Sequence, residues 1–238
     1  MTVYYTIAEN LRVDYRELAQ QIITPPRLRR YGSLNPSDLP ETVARCLWDM
    51  GLCEALCPLL NGLEVALRNR AHAELTRQTG LARWMDPGDP RKAFLGRREK
   101  DQVRRAINLL RRDHEPTNVS RIVGVLTFGF WASLFAPRYE QRAWHGDGLR
   151  GVFPYAPRQV LGCHLIRARL RHAVYMRNRV FHHEPIWHLA ALDNTHREIT
   201  ELIGWLSTDW GRALAPYDRF HQVHSAGYRP YLDKLRTM

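Results

Sequence analysis

The chain has 238 residues, enough to bury a real core in one large domain or two small ones. Its hydrophobic fraction of 45% and charged fraction of 25% are those of a folded globule. There is no run of 18 consecutive apolar residues, so no membrane span is expected. The start Met1-Thr2-Val3-Tyr4-Tyr5 lacks the basic-then-apolar order of a secretory signal, which makes the cytoplasm the expected compartment.

The formal net charge is +11 and the isoelectric point about 9.9. Only Lys92, Lys100 and Lys234 are lysines, so 32 of the 35 basic residues are arginines. Arginine presents a planar fork that suits phosphate, and a basic surface favours nucleic acid through counterion release. A GC-rich genome produces the same excess through its codons, so composition alone does not choose between the two. Cys46, Cys53 and Cys57 are spaced by seven and four residues, which puts them on one helix face. A buried apolar face is the expectation there. Cys163-His164 offers no paired CxxC spacing, and no metal or cofactor is expected.

In chain order, Asn10 to Ile23 has Leu11, Tyr15, Leu18 and Ile22 at helical spacing, and Thr24-Pro25-Pro26 ends that helix. From Asn35 the signals turn strongly helical. Ser37 or Asp38 can cap, Glu41 falls in the first turn, and Val43, Leu47, Met50 and Glu54 mark one side. Pro58 is expected to divide this helix from a second one, marked by Leu59, Leu63, Ala66, Leu67 and Ala71 and stopped at Gly80. The second helix carries Glu64 and Arg68 four apart, the favourable order for an intrahelical ion pair. Residues 81–89 read as a loop.

Residues 91–113 read as a basic helix docked through Phe94, Val103, Ala106, Ile107 and Leu110. Its arginines, Arg104 and Arg105 among them, are a solvated face or an RNA track. Asn118 or Ser120 opens an almost wholly apolar helix running to Phe135, expected at the centre of the core. Residues 137–157 read as a loop-rich connector. A long helix is expected from Arg158 to about His183 and another from Leu189 to Ser207, and the segment from Pro216 is expected to wrap the body. Strand-like alternation is absent over any useful length.

The long helix ends in Met176-Arg177-Asn178-Arg179-Val180-Phe181-His182-His183-Glu184-Pro185-Ile186. A fixed cation, an amide and two imidazoles within seven residues are the kit for cleaving RNA without a metal. Imidazole can move the proton of a ribose 2′-OH, and guanidinium can stabilise the charge that builds on the phosphate. Ile166, Leu170, Ala173, Val174, Arg177 and Phe181 share one stripe, which turns Arg177 toward the apolar side; a structural ion pair is the competing role for it. Arg177 and His182 are five residues apart, about 140° round a regular helix. They can meet at one phosphate only if the helix frays or a second copy contributes, and symmetric pairing of two helix tips is the expected solution.

Arg177-Asn178-Arg179-Val180-Phe181-His182-His183-Glu184-Pro185-Ile186 resembles the R-N-R-x-x-H-H-E-P-I signature of Abi-like (abortive infection) proteins, in the HEPN superfamily of helical RNases. Leu63-Glu64-Val65-Ala66-Leu67-Arg68-Asn69 is similar to that family's L-E-V-A-L-R-N helix. Leu126-Thr127-Phe128-Gly129-Phe130-Trp131 resembles its L-S-F-G-F-W segment, with Thr127 for serine. Together these cover about residues 40–205. The chain reads as an all-α fold in one domain, with a leader at 1–35 and a C-terminal wrap at 208–238, and the resemblance implies that the core over 36–207 is a HEPN-like up-and-down helical bundle. It further implies a homodimer and a metal-independent endoribonuclease toxin of phage defence that leaves a 2′,3′-cyclic phosphate. Arg177 and His182 match the catalytic pair, Asn178 matches the polar residue after the arginine, and His183 is the adjacent imidazole. Arg179, Arg68, Arg104 and Arg105 are the candidate RNA contacts. RNA is the expected partner, with room for an antitoxin or a phage-derived trigger. Phe181 stands where the family more often has a small residue, and Glu184 stands where AMPylated toxins have tyrosine, so the resemblance does not extend to that mode of silencing. A non-catalytic HEPN module that binds RNA or nucleotide is the alternative, and a purely structural interaction protein is a third.

Overall fold

The structure is a computed structural model that describes residues 13–86, 88 and 94–237. Asn10 and Leu11 of the leader, Pro87, Asp89 and Pro90 of the loop, and Arg91 and Lys92 of the basic helix lie outside the described residues. The described residues are all-α, with no strand among them. The leader forms α1 (Tyr15–Glu17), which continues as a π-turn over Leu18–Ile22, and α2 (Pro25–Leu28).

The molecule is built round α3 (Leu39–Thr79), a single helix of 41 residues. The division expected at Pro58 does not occur. A proline inside a helix removes one hydrogen bond and costs about 3 kcal/mol. Leu52, Leu56, Leu59, Leu60 and Leu63 are all fully buried on either side of it. Each contributes about 1.5–3 kcal/mol, so packing outweighs the local defect. Gly80 stops the helix as expected, at φ 64°. By length and composition α3 is apolar enough to cross a membrane; here its apolar face is turned into the core.

The buried side of the first half of α3 is Val43, Cys46, Asp49, Leu52 and Leu56. The expected stripe through Leu47, Met50 and Glu54 is rotated away from this face: Met50 and Glu54 are exposed. Cys46 is buried, whereas Cys53 and Cys57 are only partly so. Burial pushes the Cys53 and Cys163 thiols up to about 12, so both are inert at neutral pH.

Around α3 lie α4 (Arg97–Arg112), α5 (Val119–Val125) and α6 (Phe128–Ser133). The one helix expected from Asn118 to Phe135 is therefore two. Leu126 is extended, and the Thr127 hydroxyl accepts the Phe130 N–H at 3.3 Å, making Thr127 an N-cap. Serine would cap in the same way. Phe128, Phe130 and Trp131 are buried with Trp84, as core rather than as a base-stacking surface.

The connector over 137–157 contains α7 (Glu140–Ala143) and α8 (Gly148–Val152). Helix α8 packs closely on α3: a Cβ at Gly151 would lie 2.2 Å from the Glu74 carboxylate. The long helix α9 (Cys163–Phe181) starts later than Arg158, because Arg158–Val160 form a 3-10 turn and Gly162 is extended. Helix α10 (Leu192–Leu206) follows, buried through Leu192, Ile199, Leu202, Ile203 and Leu206. Three short helices complete the chain: α11 (Thr208–Leu214), α12 (Phe220–Ala226) and α13 (Arg229–Thr237). Helices α12 and α13 pack back on α3.

The core has two parts. The larger is the body of the bundle; the smaller joins Ala19, Leu28 and Tyr31 of the leader to Leu39, Val43 and Cys46 of α3. Trp187, one residue beyond the Arg177–Ile186 segment, packs against both.

Candidate functional site

The end of α9 can be followed bond by bond. His182 still makes a helical bond, its N–H donating to the Asn178 carbonyl at 2.9 Å. His183 then turns left-handed at φ 56°. Its N–H donates to the Val180 carbonyl at 3.3 Å, and the Glu184 N–H donates to the Arg179 carbonyl at 2.8 Å. These are the paired bonds of a Schellman terminus, in which glycine usually takes the left-handed position. A non-glycine residue there costs of order 1 kcal/mol. Pro185 follows and cannot continue the helix.

Arg179 holds the turn together. Its guanidinium is 3.3 Å from the Glu184 carboxylate, donates through Nε and Nη2 to the Pro185 carbonyl, and donates through Nη1 to the Tyr175 hydroxyl at 2.9 Å. Its side chain is 13% exposed. Arg179, expected as an RNA contact, is turned largely inward here, with each of its three guanidinium nitrogens bonded within the turn and to Tyr175.

Asp49 fixes the far side of the turn. It is only 3% exposed. One carboxylate oxygen accepts the backbone N–H of Ile186 at 2.7 Å and of Trp187 at 2.9 Å; the other accepts the Tyr31 hydroxyl at 3.0 Å. A buried carboxylate is tolerable only when its oxygens are satisfied in this way. Burial, with Asp49 beside it, pushes the Tyr31 phenol far up, so it remains a donor. Trp187 stacks on Tyr31 at 6.5 Å between ring centroids. Neither Asp49 nor Tyr31 is marked by a local motif in the sequence. A charged residue in register with Cys46, Leu52 and Leu56 was the available signal.

Arg177 lies at the margin of the buried stripe, which runs through Ile166, Leu170, Ala173, Met176 and Val180 rather than through Phe181. Its Nε donates to Glu64 of α3 at 3.3 Å, and Phe181 lies under its guanidinium at 4.7 Å. The side chain is 28% exposed, and its two terminal nitrogens make no hydrogen bond among the described residues. Glu64 is thus engaged across helices and not with Arg68. Arg68 donates instead to the Gly124 carbonyl at 3.4 Å.

Asn178, His182 and His183 are exposed. The two imidazoles leave the helix on different sides. His182 continues the α9 face of Asn178. His183 lines a cleft of about 560 Å³ together with Ile22, Ile23, Arg27, Asp49, Met50 and Cys53. Because helical bonding persists to His182, fraying does not bring Arg177 and His182 onto one side within this chain.

The remaining candidates sit elsewhere. Arg104 pairs with Asp101 at 2.8 Å. Arg105 lines a second cleft of about 300 Å³ with Gln102, Ala106, Leu109 and Val125 to Thr127. Arg68, bonded to Gly124, reaches the helix that runs into that cleft, so Arg68 and Arg105 flank the α5–α6 junction. Arg68 is also one turn beyond the partner of Arg177 on α3. Comparison of the chain with family models, with curated proteins and with solved structures returns no match.

Proposed function

We propose that the chain is a metal-independent endoribonuclease of the HEPN kind, acting as a cytoplasmic toxin in abortive infection through a site shared by two copies. The observation that carries this reading is the tip of α9. A rigid turn, held by Asp49 and Arg179, presents a guanidinium with unused terminal nitrogens and two solvent-facing imidazoles. Arg177 and His182 lie on different sides of one regular helix, so two antiparallel tips would let the arginine of one copy meet the histidine of the other.

In the reaction, His182 takes the proton from a ribose 2′-OH as that oxygen attacks the adjacent phosphorus. Arg177 stabilises the charge on the phosphorane-like transition state. The bond to the 5′-oxygen breaks, and that oxygen takes up a proton. A 2′,3′-cyclic phosphate and a 5′-OH result, and DNA is not cut because it lacks the attacking hydroxyl.

The test is cleavage of RNA by the purified chain in EDTA, with His182→Ala and Arg177→Ala alongside. Cleavage by the parent, and its loss in both variants with dimerisation retained, is the expected result. Equal RNA binding by parent and variants with no cleavage by any of them would instead make this a binding module. Absence of RNA binding would leave only a structural role.

A further inference from the structure

The proposed chemistry uses only the C-terminal end of a longer exposed face of helix α9. His164, Ala168, Arg171, Tyr175, Asn178 and His182 are all exposed, and their spacings of four, three, four, three and four place them in one line. The line is roughly 27 Å long at 1.5 Å per residue and ends at His182. Arg171, on the line, and Arg167, one turn earlier, make no ion pair among the described residues, whereas His172 and Arg169 pair with Glu198 and Glu201 of α10.

Tyr175 is the one large apolar group on this line. Its side chain is 51% exposed. An exposed tyrosine ordinarily rotates freely, but this one is held at two points. Its hydroxyl accepts from Arg179 at 2.9 Å, and the Arg179 guanidinium lies 5.5 Å from its ring centroid. Arg179 is itself anchored to Pro185 and Glu184. The ring is therefore preset by the same arginine that closes the α9 turn. Tyr175 and His182 are seven residues apart, which puts them almost in register and about 10 Å apart along the axis. A single aromatic among polar and basic groups is too little for a helix–helix seam. A preset ring one turn beyond two unpaired arginines, Arg167 and Arg171, does match a strand of alternating phosphates and flat bases.

We propose that Tyr175 is a stacking platform for an unpaired base of single-stranded RNA, flanking the phosphate presented to His182, with Arg171 and Arg167 tracking the backbone upstream. This rests on the ribonuclease reading and adds to it a positioning residue, Tyr175. Arg179 acts through Tyr175 and the turn, and does not touch the substrate.

The test uses the full chain carrying His182→Ala, so that substrate is bound and not consumed. The probe is a short single-stranded RNA with 2-aminopurine at successive positions, whose fluorescence falls when the base stacks. Quenching at one position is expected, together with about tenfold weaker binding and loss of that quenching on Tyr175→Ala. Tyr175→Trp should restore both, and duplex RNA should bind more weakly and lose nothing on Tyr175→Ala. Unchanged single-strand affinity and quenching in Tyr175→Ala would overturn the platform while leaving the nuclease reading intact. A shift in oligomeric state on Tyr175→Ala would overturn it in favour of a contact between copies. If the His182→Ala chain binds no RNA while the parent also cleaves none, both proposals fall together.

Discussion

Two helices in this molecule end on the same three residues. Helix α4 runs into Asp113-His114-Glu115-Pro116, and α9 runs into His182-His183-Glu184-Pro185. The backbones agree. Both His114 and His183 are left-handed at φ 56°. His114 donates to the Arg111 carbonyl at 3.2 Å and Glu115 to the Leu110 carbonyl at 2.8 Å, the same paired bonds as at His183 and Glu184. The difference is in what surrounds them. At α4 all four terminal residues are exposed, and Glu115 pairs with Arg121 on the surface. At α9, Pro185 and Ile186 are buried and Asp49 holds the next two backbone donors. The His-Glu-Pro part of the signature is thus a way of stopping a helix, which this chain uses twice. What is particular to α9 is the group in front of it, Arg177 and Asn178, and the carboxylate behind it.

Acid is the broadest way to probe the packing outside both turns, where two buried histidines lie. Burial holds His72 below the ordinary imidazole value of 6.5, and its Nδ1 accepts the Trp84 indole N–H at 3.0 Å, a bond that protonation would remove. Burial likewise holds His196 below that value, against the opposing pull of Asp218. The unfolded chain binds protons at these two sites before the folded chain does. Stability is therefore complete above about pH 6.5 and falls as the pH drops below it. Burial raises Glu74 and Glu99, but their hydrogen bonds from Arg77 and Tyr139 win and hold both below the ordinary 4.5. Their contribution is present above pH 4.5 and is lost below it. A two-stage acid loss is expected in thermal melts from pH 7 to 3.

Removing the carboxylate behind α9 comes next in size. Asp49→Ala leaves two buried backbone N–H groups and the Tyr31 hydroxyl without an acceptor, a loss of about 3 kcal/mol. For a chain of this length that is a fall of about 6–12 °C in melting temperature. Glu115→Ala at the α4 terminus should change stability by less than about 0.5 kcal/mol, since its pair is exposed. Comparable losses at the two sites would erase the distinction drawn between them.

These contacts also show how far the sequence could be read. Helical content is legible, because a 3.6-residue period is a local property: α4, α9 and α10 fall within the segments whose apolar spacing predicts them. The local penalty of Pro58 predicts a break, and the leucines packed on both sides of it decide otherwise. Spacing pairs Glu64 with its neighbour Arg68, a pair worth only about 0.2–0.5 kcal/mol on an isolated helix, and it bonds Arg177, 113 positions along the chain, instead. Asp49 meets Ile186 137 positions away, and no local pattern announces that contact. The Arg177–Ile186 segment was legible as a cluster of chemical groups.

A third contrast concerns the cations beside each turn. Arg179→Ala removes the bonds to the Pro185 carbonyl and the pair with Glu184 at a largely buried site, and should cost about 2 kcal/mol. Arg121→Ala removes an exposed pair of the same kind at α4 and should cost less than about 0.5 kcal/mol. Chemical denaturation of the two variants measures the difference. Equal midpoints would show that burial of Pro185 and not Arg179 holds the α9 tip.

The smallest effect separates backbone from side chain most cleanly. Glycine occupies the left-handed region without strain, so His114→Gly and His183→Gly should each stabilise the fold by about 1 kcal/mol. The gain should be similar at the two sites, because their backbones are alike. Function should not be similar. His114 faces solvent far along the chain from the Arg177–Ile186 segment, and its loss should leave RNA cleavage unchanged. His183 lines the cleft beside Asp49 and Arg27, and its loss should lower cleavage while the melting temperature rises. A more stable and less active protein would mean that the strain at His183 is retained for its imidazole. If His183→Gly is more stable and fully active, the acid–base work belongs to His182 alone, and His183 serves as nothing more than the helix stop that His114 already is.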